Sequence, residues 1–194
     1  MVLLVAHLLF DGEIRYTVCG YSNRSILLVK RVEKLMRKVY NFDPSRRNNP
    51  QTGVSNLSYH NVALAAYFKK KSKELLAEIR NFPIGFKLEF LRAFFDDEGC
   101  MDFRPKDSTR RVRGYQKNTT ILHLVQELLA NFGIESHVKK PNEVVIIGKE
   151  NLKKFHKEIN FSKGVRVNGN RSNSVWKKSL EKREILKMAI DSYR

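Results

Sequence analysis

Apolar and polar positions follow two rhythms along the chain. Residues 2–10 are almost wholly apolar and stop at Asp11-Gly12-Glu13. A run this short fits a buried helix and falls well below the roughly 20 residues that cross a bilayer. No basic stretch precedes it, as a secretion signal would require, so no membrane partner and an intracellular protein are expected. Beyond the glycine, Ile14 and Tyr16 alternate with Glu13, Arg15 and Thr17. A period of two with one apolar face predicts a half-buried strand. Helical spacing returns with Val32, Leu35, Met36 and Val39, after Ser25, a residue type suited to cap a helix start. Residues 53–59 predict a strand and 62–80 a helix. Before them Arg46, Arg47, Asn48, Asn49 and Gln51 form a polar cluster expected to be a loop.

The same order then recurs. The segment LVAHLLFDG (4–12) is similar to LRAFFDDEG (91–99). Each is an apolar helical run with a small residue, Ala6 or Ala93, five places before an acid. The acids are Asp11 and Glu98, 87 positions apart (98 − 11), and each is followed by glycine, Gly12 or Gly99. Met101 and Phe103 alternate with Cys100, Asp102 and Arg104, and a partner strand is expected around 110–117, with Arg111, Arg113 and Tyr115 on one face. Val125, Leu128, Leu129 and Phe132 repeat the earlier helix after a new capping residue, Asn118, now at a spacing of 93 (125 − 32). The second half has therefore gained six residues (93 − 87), placed at the turn near 105–110. Strand-like sequence at 136–148 and a helix at 149–159 follow.

The expected architecture is α+β, helix-strand-strand-helix-strand-strand-helix, twice. Residues 1–86 form the N-terminal repeat and 87–194 the C-terminal repeat. The latter ends in a basic loop (161–173) and an amphipathic helix (175–193), with Trp176, Leu180, Leu186, Ala189 and Ile190 available for packing.

Charge narrows the partner. Lys and Arg number 37 against 20 Asp and Glu, a formal net charge of +17. Such an excess suits a polyanion, because bound Lys and Arg release counterions condensed on phosphates. A hydrophobic share of 42% excludes a disordered basic tail. Cys19 and Cys100 form no CxxC pair, which argues against a zinc ribbon or a disulfide framework.

Against this basic background the two helix-ending acids stand out. The macrodipole leaves partial negative charge at a helix C-terminus, so a carboxylate there costs a few tenths to about one kcal/mol. Asp-Gly is a common turn dipeptide, and one copy would mean little. Two copies at equivalent places indicate a function. The glycines are expected to take the left-handed conformation that ends helices. Ala6 and Ala93 would let the two apolar helices approach side by side and bring Asp11 and Glu98 to one end. Paired carboxylates bind hard divalent cations, which can activate water and stabilise a leaving phosphodiester oxygen.

At these residues the chain resembles the LAGLIDADG homing endonucleases. The two motifs carry the resemblance, and FPIGFKLEFLRAFFDDEG (82–99), ELLANFGI (127–134) and VVIIGKENLKKFHKEINF (144–161) extend it over nearly the whole chain. The resemblance implies two pseudosymmetric αββαββα units in one chain, acting as a monomer, with saddle-shaped antiparallel sheets on the DNA major groove. It implies hydrolysis of a long asymmetric double-stranded site, as in intron homing. Asp11 and Glu98 become the catalytic residues and the ligands of Mg2+ or another divalent cation, with Ala6, Ala93, Gly12 and Gly99 at the helix interface. Phe10 and Asp97 stand where the family is usually small. His7, inside the first motif, is expected to pack as an aromatic-like residue. No splicing nucleophile begins the chain and no His-Asn ends it, so a free-standing protein is expected. The alternative within the same fold is a non-cleaving binder, an RNA maturase or transcription regulator, which would add intron RNA as a partner.

Strand faces turned away from the core would meet the duplex. The candidates are Arg15, Thr17, Arg46, Arg47, Asn49 and Gln51 in the first repeat, and Arg104, Arg111, Arg113, Gln116, Lys139 and Lys140 in the second. Arg, Asn and Gln can read purine edges; each of these residues could equally hold a phosphate. A basic residue assisting the chemistry is expected, with Lys87 and Lys163 as candidates.

Overall fold

Each apolar stripe covers one face of a sheet. The computed structural model describes residues 1–167 and 176–193. They divide into two compact units, Met1–Ala93 and Phe94–Arg194. That division falls inside a helix, past the 86/87 limit drawn from the repeat.

The first unit runs α1 (Val2–Phe10), β1 (Gly12–Ile14), β2 (Val18–Asn23), α2 (Ile26–Tyr40), β3 (Ser45–Asn49), β4 (Val54–His60) and α3 (Val62–Glu78). Its four strands form one antiparallel sheet in the order β1-β2-β4-β3. Register puts Cys19 opposite Tyr59 and Tyr21 opposite Leu57, and all four are buried. This is the helix-covered face. Leu4, Val5 and Leu8 of α1, Leu28, Val29, Val32 and Met36 of α2, and Phe68 and Leu75 of α3 complete the core. Burying one such side chain contributes about 1.5–3 kcal/mol. The alternate residues Ser22, Asn56, Ser58 and Arg47 fall on the other, polar face.

The plan then repeats with α4 (Ile84–Asp97), the helix in which the division falls, and, in the second unit, β5 (Gly99–Arg104), β6 (Thr109–Tyr115), α5 (Thr119–Ala130), β7 (His137–Lys139), β8 (Glu143–Ile147) and α6 (Lys149–Lys154). A π-helical turn, Phe155–Ile159, extends α6, and α7 (Lys182–Asp191) follows. The sheet order is β5-β6-β8-β7. Met101, Phe103, Val112, Val144 and Ile146 form its helix-covered face, beneath Leu122, Val125 and Leu129 of α5 and Ile185, Leu186 and Ala189 of α7. Phe95, Phe155 and Phe161 pack edge to face, with ring centroids 4.8 and 5.5 Å apart along that series.

Four local expectations are corrected. The polar cluster at Arg46–Gln51 is not a loop, because β3 takes up Ser45–Asn49 and pairs along β4. All five of its residues are exposed, so it lacks the alternation by which a strand is recognised, and its backbone ladder with β4 sets its place. Gly12 and Gly99 are not left-handed. A Cβ at either would overlap the backbone of Leu8 or Phe95, one turn back. The glycines are therefore required by close approach. Gly12→Ala or Gly99→Ala is expected to cost about 1–3 kcal/mol, seen as a lower midpoint in thermal melting with the helical signal retained. Of the two helix caps, Asn118 accepts a hydrogen bond from the Thr120 N–H at 3.0 Å, whereas Ser25 makes no side-chain cap bond. The terminal helix starts at Lys182, later than expected, and Trp176 before it packs against Phe103 at 5.9 Å. Residues 168–173 of the expected basic loop lie outside the described residues. Among the described residues, no helix is long and apolar enough to cross a membrane.

Candidate active site and nucleic-acid interface

Asp11 closes α1 as its C-cap residue. Its carbonyl accepts from the Ser22 N–H at 3.0 Å, tying the helix end to β2. Its Oδ2 accepts from Asn23 Nδ2 at 2.6 Å. Asn23 is itself fixed, because its Oδ1 accepts from the Ser25 N–H at 2.7 Å and its amide also donates to the Tyr21 hydroxyl at 3.0 Å. The half-buried acid thus has one oxygen aimed by an oriented amide. Asn23 escaped the sequence reading because nothing in a strand pattern marks a residue that reaches across to a helix end. The neighbouring Phe10 packs edge-on against Phe90, ring centroids 5.4 Å apart, which absorbs its bulk. His7 is buried edge-on against Tyr21 at 5.7 Å, the packed role expected of it. Ala6 and Ala93 are both fully buried.

Glu98 follows α4 directly. Its N–H donates to the Phe94 carbonyl at 2.8 Å, and its own carbonyl accepts from the Tyr115 N–H at 3.2 Å, which fixes it to β6. Asp96 is only 2% exposed; its carboxylate accepts from the Ser162 N–H at 2.8 Å and holds the segment after the π-helical turn. Lys182, 8% exposed, is the residue the sequence reading missed. Its ammonium donates to the carbonyls of Gly99 (2.6 Å) and Asp96 (2.9 Å), with Phe95 O at 3.5 Å, and lies 5.6 Å from the Phe161 ring centroid. A cation therefore sits at the C-terminal, partially negative end of the motif helix. The capping box formed by Glu181 and Glu184 places Lys182 in the first turn of α7. That box is visible in the sequence; the burial of the lysine is not. Of the lysines nominated instead, Lys87 is half-buried on α4 and Lys163 is exposed in a turn.

Both motif acids offer hard oxygen donors. Among the described residues, no group of three or more His, Cys, Asp or Glu gathers into a closed cation cage. The carboxylate oxygens themselves suit ions of the magnesium type, which take one or two carboxylates and fill their remaining positions with water and substrate phosphates.

The nominated contact residues separate by face. In the first unit Arg47 and Asn49 lie on the open face of β3. Gln51 follows in the turn, its N–H on Asn49 Oδ1 at 3.0 Å. Arg15 and Thr17 are exposed in the β1–β2 turn, Arg15 paired with Glu13. Arg46 is the exception. It shares the face of Leu57, and its guanidinium lies 3.7 Å from Glu33 of α2, on the helix-covered side.

In the second unit Arg104, Arg111 and Arg113 come together on the open face around Asp102. Arg104 reaches it at 3.0 and 3.2 Å, Arg111 at 2.8 Å, and Arg113 at 3.5 Å. Arg113 also holds Glu143. Lys139 stands on the exposed edge strand β7, with Lys140 beyond it. The Gln116 N–H donates to Asn142 O at 3.1 Å, placing it at the sheet margin.

Burial alone would raise the Asp102 carboxyl, but hydrogen bonds from Arg104 and Arg111 outweigh it and hold the group below the ordinary aspartate value. A carboxyl depressed on folding stabilises the fold above the unfolded aspartate pKa of about 3.9, and that contribution is lost as pH falls through the folded value. Urea midpoints of the parent are expected to drop more steeply below pH 4 than those of Asp102→Asn. Parallel curves would remove Asp102 from the acid transition.

Residues 85–160 match the family described as LAGLIDADG-like domain. No curated protein sequence matches the chain. Among solved structures, variants of the homing endonuclease I-DmoI superpose with a TM-score of 0.63 at 19% identity, covering 84% of this chain and 89% of that one. I-DmoI in complex with DNA and Ca gives 0.60 at 18%, again over 84% and 89%. Full-length DUF199/WhiA from Thermatoga maritima gives 0.63 at 12%, over 100% of this chain and 61% of that one. With a LAGLIDADG-like domain at 85–160 and the same order of elements in both units, the chain has the LAGLIDADG homing-endonuclease fold.

Proposed function

We propose that this protein is a site-specific double-strand DNA endonuclease that hydrolyses phosphodiester bonds with divalent metal, and that Asp11 and Glu98 are its metal ligands. The observation that carries the reading is the equivalence of the two acids. Each follows a buried motif helix, is tied by its main chain to a neighbouring strand, and precedes a glycine that has no room for a Cβ. A fold alone does not assign an activity; two acids at electrostatically costly places in a chain of net charge +17 support one.

In this reading the open faces of the sheets carry the duplex. Arg47, Asn49, Arg104, Arg111 and Arg113 meet the duplex there, while Arg15 and Lys139 extend the contact at its margins. Asp11 and Glu98 would hold Mg2+ or a related divalent ion, and Asn23 orients Asp11. The bound ion supplies an activated water and charge stabilisation for the leaving oxygen. I-DmoI has been solved with its target DNA in the presence of Mg and with DNA and Mn, which supports a divalent ion as cofactor.

The test is cutting of a randomised duplex pool with Mg2+, with Mn2+ and without metal. Metal-dependent enrichment of one long site with ends from both strands is the expected result. The second reading, a non-cleaving nucleic-acid binder, is favoured by the likeness to DUF199/WhiA along the entire chain. Salt-sensitive binding without cutting under any metal would select it.

A further inference from the structure

The open face of the second sheet carries acids where a DNA-binding surface has least use for them. Asp102 is 11% exposed in its side chain and receives three guanidiniums, those of Arg104, Arg111 and Arg113. Glu143, 19% exposed, takes Arg113 from the other side. Register explains the gathering. Asp102 lies opposite Arg111 across β5–β6, and Glu143 lies opposite Tyr115 across β6–β8, on the same face as Arg113. Val145, opposite Arg113 on this face, is fully covered. The first unit has a single acid on its open face, Glu13 of β1, paired with Arg15 in the adjoining turn, and β2, β3 and β4 contain none.

An arginine without a fixed partner takes whichever phosphate comes near, with affinity and no sequence preference. An arginine forked onto a carboxylate behaves differently. Its plane is set, its charge is partly spent, and its remaining N–H groups keep one direction, as bidentate recognition of a guanine edge requires. The carboxylate also repels phosphate and can accept from a cytosine amino group. Resting on the reading that duplex DNA lies along these open faces, we propose that Asp102 and Glu143 are specificity-determining residues. They withhold Arg104, Arg111 and Arg113 from the phosphates and aim them at base edges in the half of the site met by the second unit.

The experiment compares the full-length parent with Asp102→Asn, Glu143→Gln and, as a control of equal charge change, Asp107→Asn. Asp107 is 63% exposed and stands 3.9 Å from Arg104. Binding is measured over a salt series, without divalent metal, on two probes: a random-sequence duplex and the duplex enriched from a random pool by binding to the parent. Asp102→Asn is expected to bind the random duplex more tightly, with the log–log salt slope steeper by about one. Its preference for the enriched duplex falls about tenfold or more. Glu143→Gln moves the same way by less, because it frees Arg113 alone, and it keeps the question open to measurement should Asp102→Asn fail to fold. Asp107→Asn raises binding to both duplexes alike. An unchanged preference ratio in folded Asp102→Asn and Glu143→Gln, or a fall equal to that of Asp107→Asn, would overturn the role of the acids and leave DNA binding standing. A parent with no salt-sensitive binding to either duplex would overturn both.

Discussion

Asp11→Asn combined with Glu98→Gln is expected to remove metal-dependent strand breakage, lowering its rate by about three orders of magnitude or more, while duplex binding is kept or strengthened. The size follows from what the carboxylates do in the proposed chemistry. Metal-assisted stabilisation of a phosphodiester transition state is worth several kcal/mol, and about 1.4 kcal/mol is tenfold in rate. The direction on binding follows from charge, since two negative groups are removed near phosphates. Stability should not suffer. An amide at a helix C-terminus relieves the repulsion a carboxylate feels there, by a few tenths of a kcal/mol, and it can still accept the hydrogen bond from Asn23. Single-turnover cutting of the enriched duplex, with binding and thermal melting alongside, separates these effects. Cutting that survives in the double variant would show that the acids do not hold the catalytic ion.

Lys182→Met is expected to cost the second unit about 2–3 kcal/mol. Methionine nearly matches the lysine in length and fills the same space, so the loss is of the ammonium and its bonds to Gly99 O and Asp96 O. Hydrogen bonds from a charged donor are worth more than neutral ones, and the carbonyls left behind are buried with the end of α4. Against this stands the desolvation of the lysine itself, which methionine does not incur. Urea unfolding of the variant measures the balance. A change below about 0.5 kcal/mol would mean that desolvation cancels the bonds, and the lysine would then matter only as a charge beside the motif helix.

How far the sequence carried each of these sites depended on whether a side chain announced its own partner. The doubled element order was legible because buried faces must repeat, at period two in β5 and at helical spacing in α2 and α5. The acids were legible because they break an electrostatic rule twice at the same place. β3 was hidden, because a strand exposed along its whole length carries no apolar signal. Arg46 and Arg47 are indistinguishable in the sequence for the same reason: without the register against Leu57 nothing tells which of two adjacent arginines turns towards α2. Lys182 and Asn23 act through contacts made far along the chain or across to another element, and no local pattern records them.

The alternation of faces in the two sheets also has an evolutionary reading. Cys19, Tyr21, Leu57 and Tyr59 maintain the first unit, while Ser22, Arg47, Asn49, Asn56 and Ser58 contribute almost nothing to its core. Mutations at the second set are therefore nearly silent for folding, and under the proposed reading of DNA the preferred target can drift one base at a time without passing through an unfolded intermediate. The second unit is less free. Its arginines share acids, so a change at Arg111 or Arg113 alters the partner of the other, and adaptation there has to proceed by coupled substitutions. Under the proposed function, the half of the site facing the first sheet is thus the half expected to diversify first.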